Sequence, residues 1–308
     1  MLLPCPVIWL QKYFSHFIME YLQEFRIGGN MDRKLIFLDI DGTILAHGEE
    51  VHPAVLEGLR RARNKGHMVF ISTGRSHGSV PPEILDMETD GLICSAGSDI
   101  WIHGQRAWSA ALDTALVEKA CKVLDRLDAI CLLEGSENTY MSERGGDFLR
   151  EKDKPGDNSE LARWKFYFRT AGNLLPIKEW HQTHIPIPKV TFLVWGKERM
   201  EQLIEELKQD FYIAFFETTT EGVYNGELIS LTENKGTAIR RTAELLHENA
   251  DNTIAFGDSM NDYQMIRDAA CGVAMGNADE KLKAIADRVC ETVWEDGVIC
   301  ELKRMHII

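Results

Sequence analysis

Leu35-Ile36-Phe37-Leu38-Asp39-Ile40-Asp41-Gly42-Thr43 decides how this chain is read. Its first four residues are continuously apolar, the pattern of a strand buried on both faces of a parallel sheet. The run stops at two acids spaced two apart. In open α/β sheets ligands sit beyond the carboxyl ends of the strands, so Asp39 and Asp41 are expected where a ligand binds. Two carboxylates there are desolvated and repel each other, and a divalent cation would relieve both. Gly42 permits the backbone angles of a tight turn. At roughly 5–7% usage per residue type, Asp-x-Asp-Gly-Thr arises by chance in a few chains per thousand of this length.

The segments that follow repeat the pattern. His52-Pro53 places Pro at a helix start; Val55, Leu56, Leu59 and Ala62 share one face, and Gly66 ends the helix. Met68 to Ile71 reads as a second buried strand, which completes a βαβ unit with a right-handed crossover. Near the C-terminus a helix over Lys235–His247 precedes a strand over Thr253–Phe256. A helix, a strand over Gly272–Met275 and a helix over Asp279–Ala286 come next. Both ends of the chain therefore build one α/β sheet, from residues 31–110 and 226–308. Between them, residues 111–225 read as an inserted α+β unit. It has strand-like runs at Ala129–Leu133, Val190–Trp195 and Tyr212–Phe216, a helix at Lys197–Lys208, and a polar loop over Lys152–Asn158. Within it, Trp164 to Arg169 is rich in aromatics; its apolar members read most simply as core of that unit.

Length and composition agree with two soluble domains. The 308 residues are 44% hydrophobic and 27% charged, with a net charge of -14. That charge argues against a nucleic-acid partner bound through a basic face. Seven cysteines, an odd number without a C-x-x-C pair, argue against a disulfide framework or a zinc site and fit a reducing cytoplasm. Residues 1–30 lack a basic leader and a cleavage site. Pro4, Pro6, Gln11 and Lys12 interrupt their apolar part, so neither a signal peptide nor a membrane span is expected. Met31 is the expected natural start, with residues 1–30 an upstream extension; an accessory helix is the alternative.

Three more segments lie at strand ends or helix starts. Ser72-Thr73-Gly74-Arg75 offers a hydroxyl and backbone N–H groups that can hold phosphate oxygens, although a plain turn has the same composition. Lys235 opens a helix, where a cation opposes the dipole unless an anion lies nearby; taken alone it reads first as a solvated surface lysine. Gly257-Asp258-Ser259-Met260-Asn261-Asp262 supplies carboxylates, hard oxygen donors that suit Mg2+ better than zinc. His181 and His184, three apart without a third ligand, read as polar surface.

Together these segments resemble the four motifs of the haloacid dehalogenase superfamily, in its Cof-like branch. The resemblance covers residues 31–308 and extends to Met275-Gly276-Asn277-Ala278. It implies a Rossmann-like parallel-sheet core, with the inserted unit as a cap of the second type. It also implies a Mg2+-dependent phosphatase working through an aspartyl-phosphate on a small phosphorylated metabolite, with sugar phosphates first and pyridoxal phosphate or flavin mononucleotide next. Asp39 would be nucleophile and metal ligand. Asp41 would be general acid and base, and its carbonyl a metal ligand. Asp258 would complete the protein's metal ligands, with Asp262 behind them. Lys235, Thr73, Gly74, Gly42 and Asn261 would hold the phosphoryl group. One departure is Cys94-Ser95-Ala96-Gly97, where relatives often carry Asn-Gly; Ala96 lacks an amide that can face the site, which bears on substrate preference. A phosphotransferase or phosphomutase shares every motif and differs only in whether water or a sugar hydroxyl accepts the phosphoryl group. A non-catalytic binding protein has no need of Asp39, Asp41, Lys235 and Asp258 together.

Overall fold

A computed structural model of the chain describes residues 33–46, 49–151, 165, 168–169, 172–216 and 222–308. The expected N-terminal extension and the Lys152–Asn158 loop lie outside them, as do Trp164, Phe166 and Tyr167.

The first sheet holds β1 (Leu35–Leu38), β2 (Met68–Ser72), β3 (Gly91–Cys94), β4 (Asp99–Ile102) and β5 (Gln105–Ser109). The second holds β6 (Ile130–Glu134), β7 (Thr139–Met141), β8 (Leu174–Pro176), β9 (Lys189–Trp195), β10 (Tyr212–Phe216) and β11 (Val223–Ile229). The chain then returns to the first sheet with β12 (Thr253–Gly257), β13 (Cys271–Ala274) and β14 (Arg288–Val289). The order in the first sheet is β14-β13-β12-β1-β2-β3-β4-β5. Strand β1 runs parallel to both neighbours, with Leu38 beside Ile71 and Phe256. All four of its side chains are fully buried, as a continuous apolar run in a parallel sheet requires. Asp39, Thr73 and Asp258 thus emerge at one sheet edge, from strands contributed by both ends of the chain.

The second sheet, in order β10-β11-β9-β6-β7-β8, is antiparallel except where β7 meets β8. Here the expected boundary is corrected. Residues 226–229 belong to the second sheet, because β11 continues its antiparallel pairing with β10 to Ile229 opposite Tyr212. A cut at 225 would split a hydrogen-bonded strand. Side chains alternate across this sheet. One face packs Leu133, Val190 and Phe192 against Val117 and Leu124 of helix Thr114–Arg126 and Leu203 of helix Lys197–Leu207. The other carries Ile130, Leu132, Leu193 and Val223 with Met141 and Phe168, packed with Phe148 and Leu149 of helix Glu143–Arg150; Glu227 on the same face lies beside Gly74 of the first domain. Contact between the two runs through Gly78 N donating to Ser136 O at 3.1 Å and through Ala96 packed with Ala214 and Ile229.

The helix expected over Asp279–Ala286 is only Glu280–Lys283. Asp279 caps it by accepting from Lys281 N. The bond from Asp287 N to Gly272 O then draws the chain into β14 before a second turn can form. Cys94, Cys121, Cys131, Cys271, Cys290 and Cys300 are free thiols. Among the described residues no helix is long and apolar enough to cross a membrane.

Candidate active site

Asp39 follows β1 directly, its N–H donating to Phe256 O at 3.1 Å. Lys235 Nζ donates to Asp39 Oδ1 and to Asp262 Oδ1, both at 2.6 Å, across 196 and 27 residues of chain. The lysine is buried at the first position of helix Lys235–Leu245. Two carboxylates answer the conflict between a cation and the helix dipole, and Asn234 caps the same end by accepting from Gly236 N and Thr237 N. Burial works against the charge of Lys235, but Asp262 and then Asp39 outweigh it and hold the ammonium well above its ordinary pKa. Asp262 Oδ2 accepts from Asp258 N at 3.1 Å and Ser259 N at 3.3 Å. Asp262 is thus a strut, tying the lysine to the loop after β12.

Asp258 is the least satisfied of these acids: its Oδ1 is buried without a hydrogen-bond partner. Gly42, at φ +87°, faces it, and a Cβ there would overlap the Asp258 carboxylate. Glycine at this position therefore serves both the left-handed turn and the close approach of the two loops. Asn277 fixes the arrangement from behind, donating to Gly42 O and accepting from Val293 N, each at 2.9 Å.

Burial raises the Asp39 pKa to about 7, with Asp262 adding to it and Lys235 opposing. Burial, then Asp39 and Asp262, raise Asp258 to about 9. One lysine does not neutralise this cluster, and further positive charge fits it. The carboxylate oxygens of Asp39, Asp258 and Asp262 lie within 4.8 Å of one another. An all-oxygen donor set with an orphaned buried oxygen fits Mg2+.

Asp41 is placed differently: its carboxylate turns from this cluster to Arg75, whose Nε and Nη2 donate to Oδ2 at 3.0 Å and Oδ1 at 2.9 Å. Thr73 N donates to Ile93 O at 2.8 Å, and Thr73 Oγ1 accepts from Arg75 N at 3.1 Å, which shapes the turn after β2. A Cβ on Gly74 would lie 3.5 Å from Glu227 Oε1 and 3.6 Å from Asn261 Nδ2. Ser259 Oγ donates to Asn261 Oδ1 at 2.7 Å and so orients that amide. The departure at Ala96 also lies here: its N–H donates to Thr73 O at 3.1 Å, and its methyl packs on the second sheet.

All the residues expected at the site meet at this edge. Two others were not assigned from the sequence. Arg75 closes the Ser72-Thr73-Gly74-Arg75 segment, and its position two residues after Thr73 is the signal the sequence offers for it. Glu227 falls within residues 226–308, expected in the first domain, and no local pattern marks it. The His181–His184 pair does find a third group, Glu118 Oε1 at 3.1 and 3.3 Å, on the outer surface of the inserted unit.

The model of the haloacid dehalogenase-like hydrolase family matches residues 36–302. The chain belongs to that family. Phosphatase YwpJ of Bacillus subtilis is 29% identical over 288 residues, covering 88% of this chain and 99% of the relative. The 5-amino-6-(5-phospho-D-ribitylamino)uracil phosphatase YcsE of the same organism is 27% identical over 270 residues, covering 87% and 94%. A solved haloacid dehalogenase-like hydrolase from B. subtilis is 27% identical with a TM-score of 0.73, covering 88% of this chain and 99% of that one. The chain is therefore an enzyme of the hydrolase class, with a parallel-sheet core of the haloacid dehalogenase kind.

Proposed function

We propose that this hydrolase is a Mg2+-dependent phosphomonoesterase that passes through a phosphoryl-aspartate on Asp39. The observation that carries the proposal is the buried Lys235 ammonium shared by Asp39 and Asp262, beside the unpartnered Asp258 carboxylate. Asp39, Asp258 and the Asp41 carbonyl would hold Mg2+, whose charge offsets the repulsion between a carboxylate and a phosphate dianion.

Asp39 attacks phosphorus, an Asp39 O–P bond forms, and the ester P–O bond breaks. Asp41 gives its proton to the departing alkoxide. It then takes a proton from the water that attacks the phosphoryl group, releasing phosphate and restoring Asp39. Arg75 fixes where the Asp41 oxygens point, while Thr73, Gly74, Gly42 and Asn261 surround the phosphoryl oxygens together with Lys235. Charge developing on those oxygens meets donors already in place. Closure of the inserted unit would exclude bulk water from the phosphoryl-aspartate.

The substrate class we propose is a small phosphorylated metabolite, sugar phosphates first. The likeness to YcsE, whose named substrate carries its phosphate on a ribityl chain, supports that order. The free thiols support a cytoplasmic setting. The test is phosphate release from a metabolite panel, with Mg2+ or with chelator, for wild type and Asp39→Asn. Release that requires both Mg2+ and Asp39 is expected; release that survives Asp39→Asn overturns the proposal.

A further inference from the structure

The face of the second sheet turned toward Gly74 carries buried charges that the hydrolytic steps do not use. Glu134, Lys189 and Glu227 lie there on neighbouring strands, 7%, 3% and 5% exposed, with Thr191 among them. Lys189 stands opposite Glu134, and Thr191 opposite Glu227. Lys189 Nζ is 3.2 Å from Glu134 Oε1 and donates to Glu227 Oε1; Thr191 donates its hydroxyl to Glu134. Two carboxyl groups share this one ammonium; burial raises the Glu227 pKa, and Lys189 opposes that rise. Burial works against the charge of Lys189, but Glu134 and Glu227 outweigh it, so the lysine is a fixed cation.

Every polar atom of a buried ion cluster needs a partner, or its burial costs free energy. Glu227 Oε2 is buried and has none. Its carboxylate lies beside Gly74 and the Asn261 amide, at the mouth of the turn assigned to the phosphoryl group. A phosphate ester held at that turn would have Glu227 beside its alcohol half. A carboxylate oxygen only accepts, whereas the neighbouring Asn261 Nδ2 only donates. A group that satisfies both must give a proton and offer a lone pair at one point, which a hydroxyl does. An ammonium lacks the lone pair, a carboxylate lacks the proton and is repelled, and an alkyl chain offers neither.

We infer that Glu227, held by Lys189, is the specificity-determining residue that takes hydrogen bonds from hydroxyls of the leaving alcohol. The enzyme thereby selects phosphate monoesters of sugars and sugar alcohols over alkyl or charged esters of equal length. This deepens the phosphomonoesterase reading and rests on it.

The test compares kcat/KM for ribitol 5-phosphate, pentyl phosphate and 5-aminopentyl phosphate, with p-nitrophenyl phosphate as a further ester. A hydrogen bond to a charged acceptor predicts a preference for ribitol 5-phosphate over pentyl phosphate of roughly 10- to 100-fold in the wild type. Glu227→Met keeps the volume and leaves Lys189 paired with Glu134, and the ratio should collapse toward one. A general loss of activity in the variant cancels in that ratio. Should this variant not fold, Glu227→Gln serves in its place: its amide oxygen still meets Lys189 and its N–H2 offers the hydroxyl only a neutral hydrogen bond, so the ratio should fall. Hydrolysis of both esters at similar efficiency by the wild type, a ratio that survives the substitution, or a preference for the aminopentyl ester each overturns the inference while the phosphomonoesterase reading stands. Failure to hydrolyse any of the four esters overturns that reading, and this inference with it.

Discussion

Arg75 holds both carboxylate oxygens of Asp41, Nε to Oδ2 at 3.0 Å and Nη2 to Oδ1 at 2.9 Å. A guanidinium fork fixes direction as well as distance, which an ammonium does not. Arg75→Lys keeps the charge and loses the fork. Misplacing an acid–base group by about 1 Å can cost on the order of a hundredfold in rate, and a loss of that order in kcat is expected on alkyl phosphates. A p-nitrophenyl leaving group needs less help from a proton, so the loss there should be smaller. Steady-state rates on the two ester types measure the difference; equal losses on both would remove Arg75 from the acid–base step.

Asp39→Asn removes the attacking carboxylate while its side-chain oxygen can still accept from Lys235. Loss of a nucleophile from a catalytic ensemble predicts a fall in kcat on the order of 10^4-fold or more. The substitution also takes one negative charge from a cluster in which burial already holds Asp39 at about 7. The metal-free variant should therefore unfold at a temperature no lower than the wild type near pH 8. Phosphate release and thermal unfolding, read on the same preparation, separate lost chemistry from lost fold.

Mg2+ should stabilise the protein increasingly as pH rises. In the metal-free fold Asp39 is raised to about 7 and Asp258 to about 9, each from an ordinary 3.8. A raised carboxyl pKa means that the folded state keeps a proton the unfolded chain has already lost. Stability from these two groups is therefore greatest below pH ~4 and declines as pH climbs toward the folded values. Mg2+ replaces those protons with its own charge and so cancels the decline. The rise in unfolding temperature on adding Mg2+ should be larger at pH 8 than at pH 5.5. An equal rise at both would mean that the metal displaces no protons.

Gly42→Ala should cost about 1–3 kcal/mol of stability, the range for a non-glycine residue held in a sparsely populated backbone region, because φ is +87° at this position. Its methyl would also push the Asp258 carboxylate away. Mg2+ affinity should fall with stability, measured by calorimetric titration beside denaturant unfolding. Unchanged affinity would show that Asp258 is not a metal ligand.

Much of the fold and most of the site were legible in the sequence, because both rest on local signals. Leu35–Leu38 announces a doubly buried strand by being apolar at every position, and Asp39 follows it because ligands gather at strand ends in such sheets. Thr73 and Asp258 stand in the same relation to β2 and β12. What the tertiary structure alone decided are the relations between residues far apart in the chain. Lys235 reaches Asp39 across 196 residues, and Arg75 turns Asp41 away from the other acids. Glu227 was not legible because β11 ends one sheet while its neighbours in sequence return to the other. The charge that faces Gly74 is set by strand register and by how the two sheets stack. Strand periodicity says that alternate side chains share a face; only packing says what that face meets.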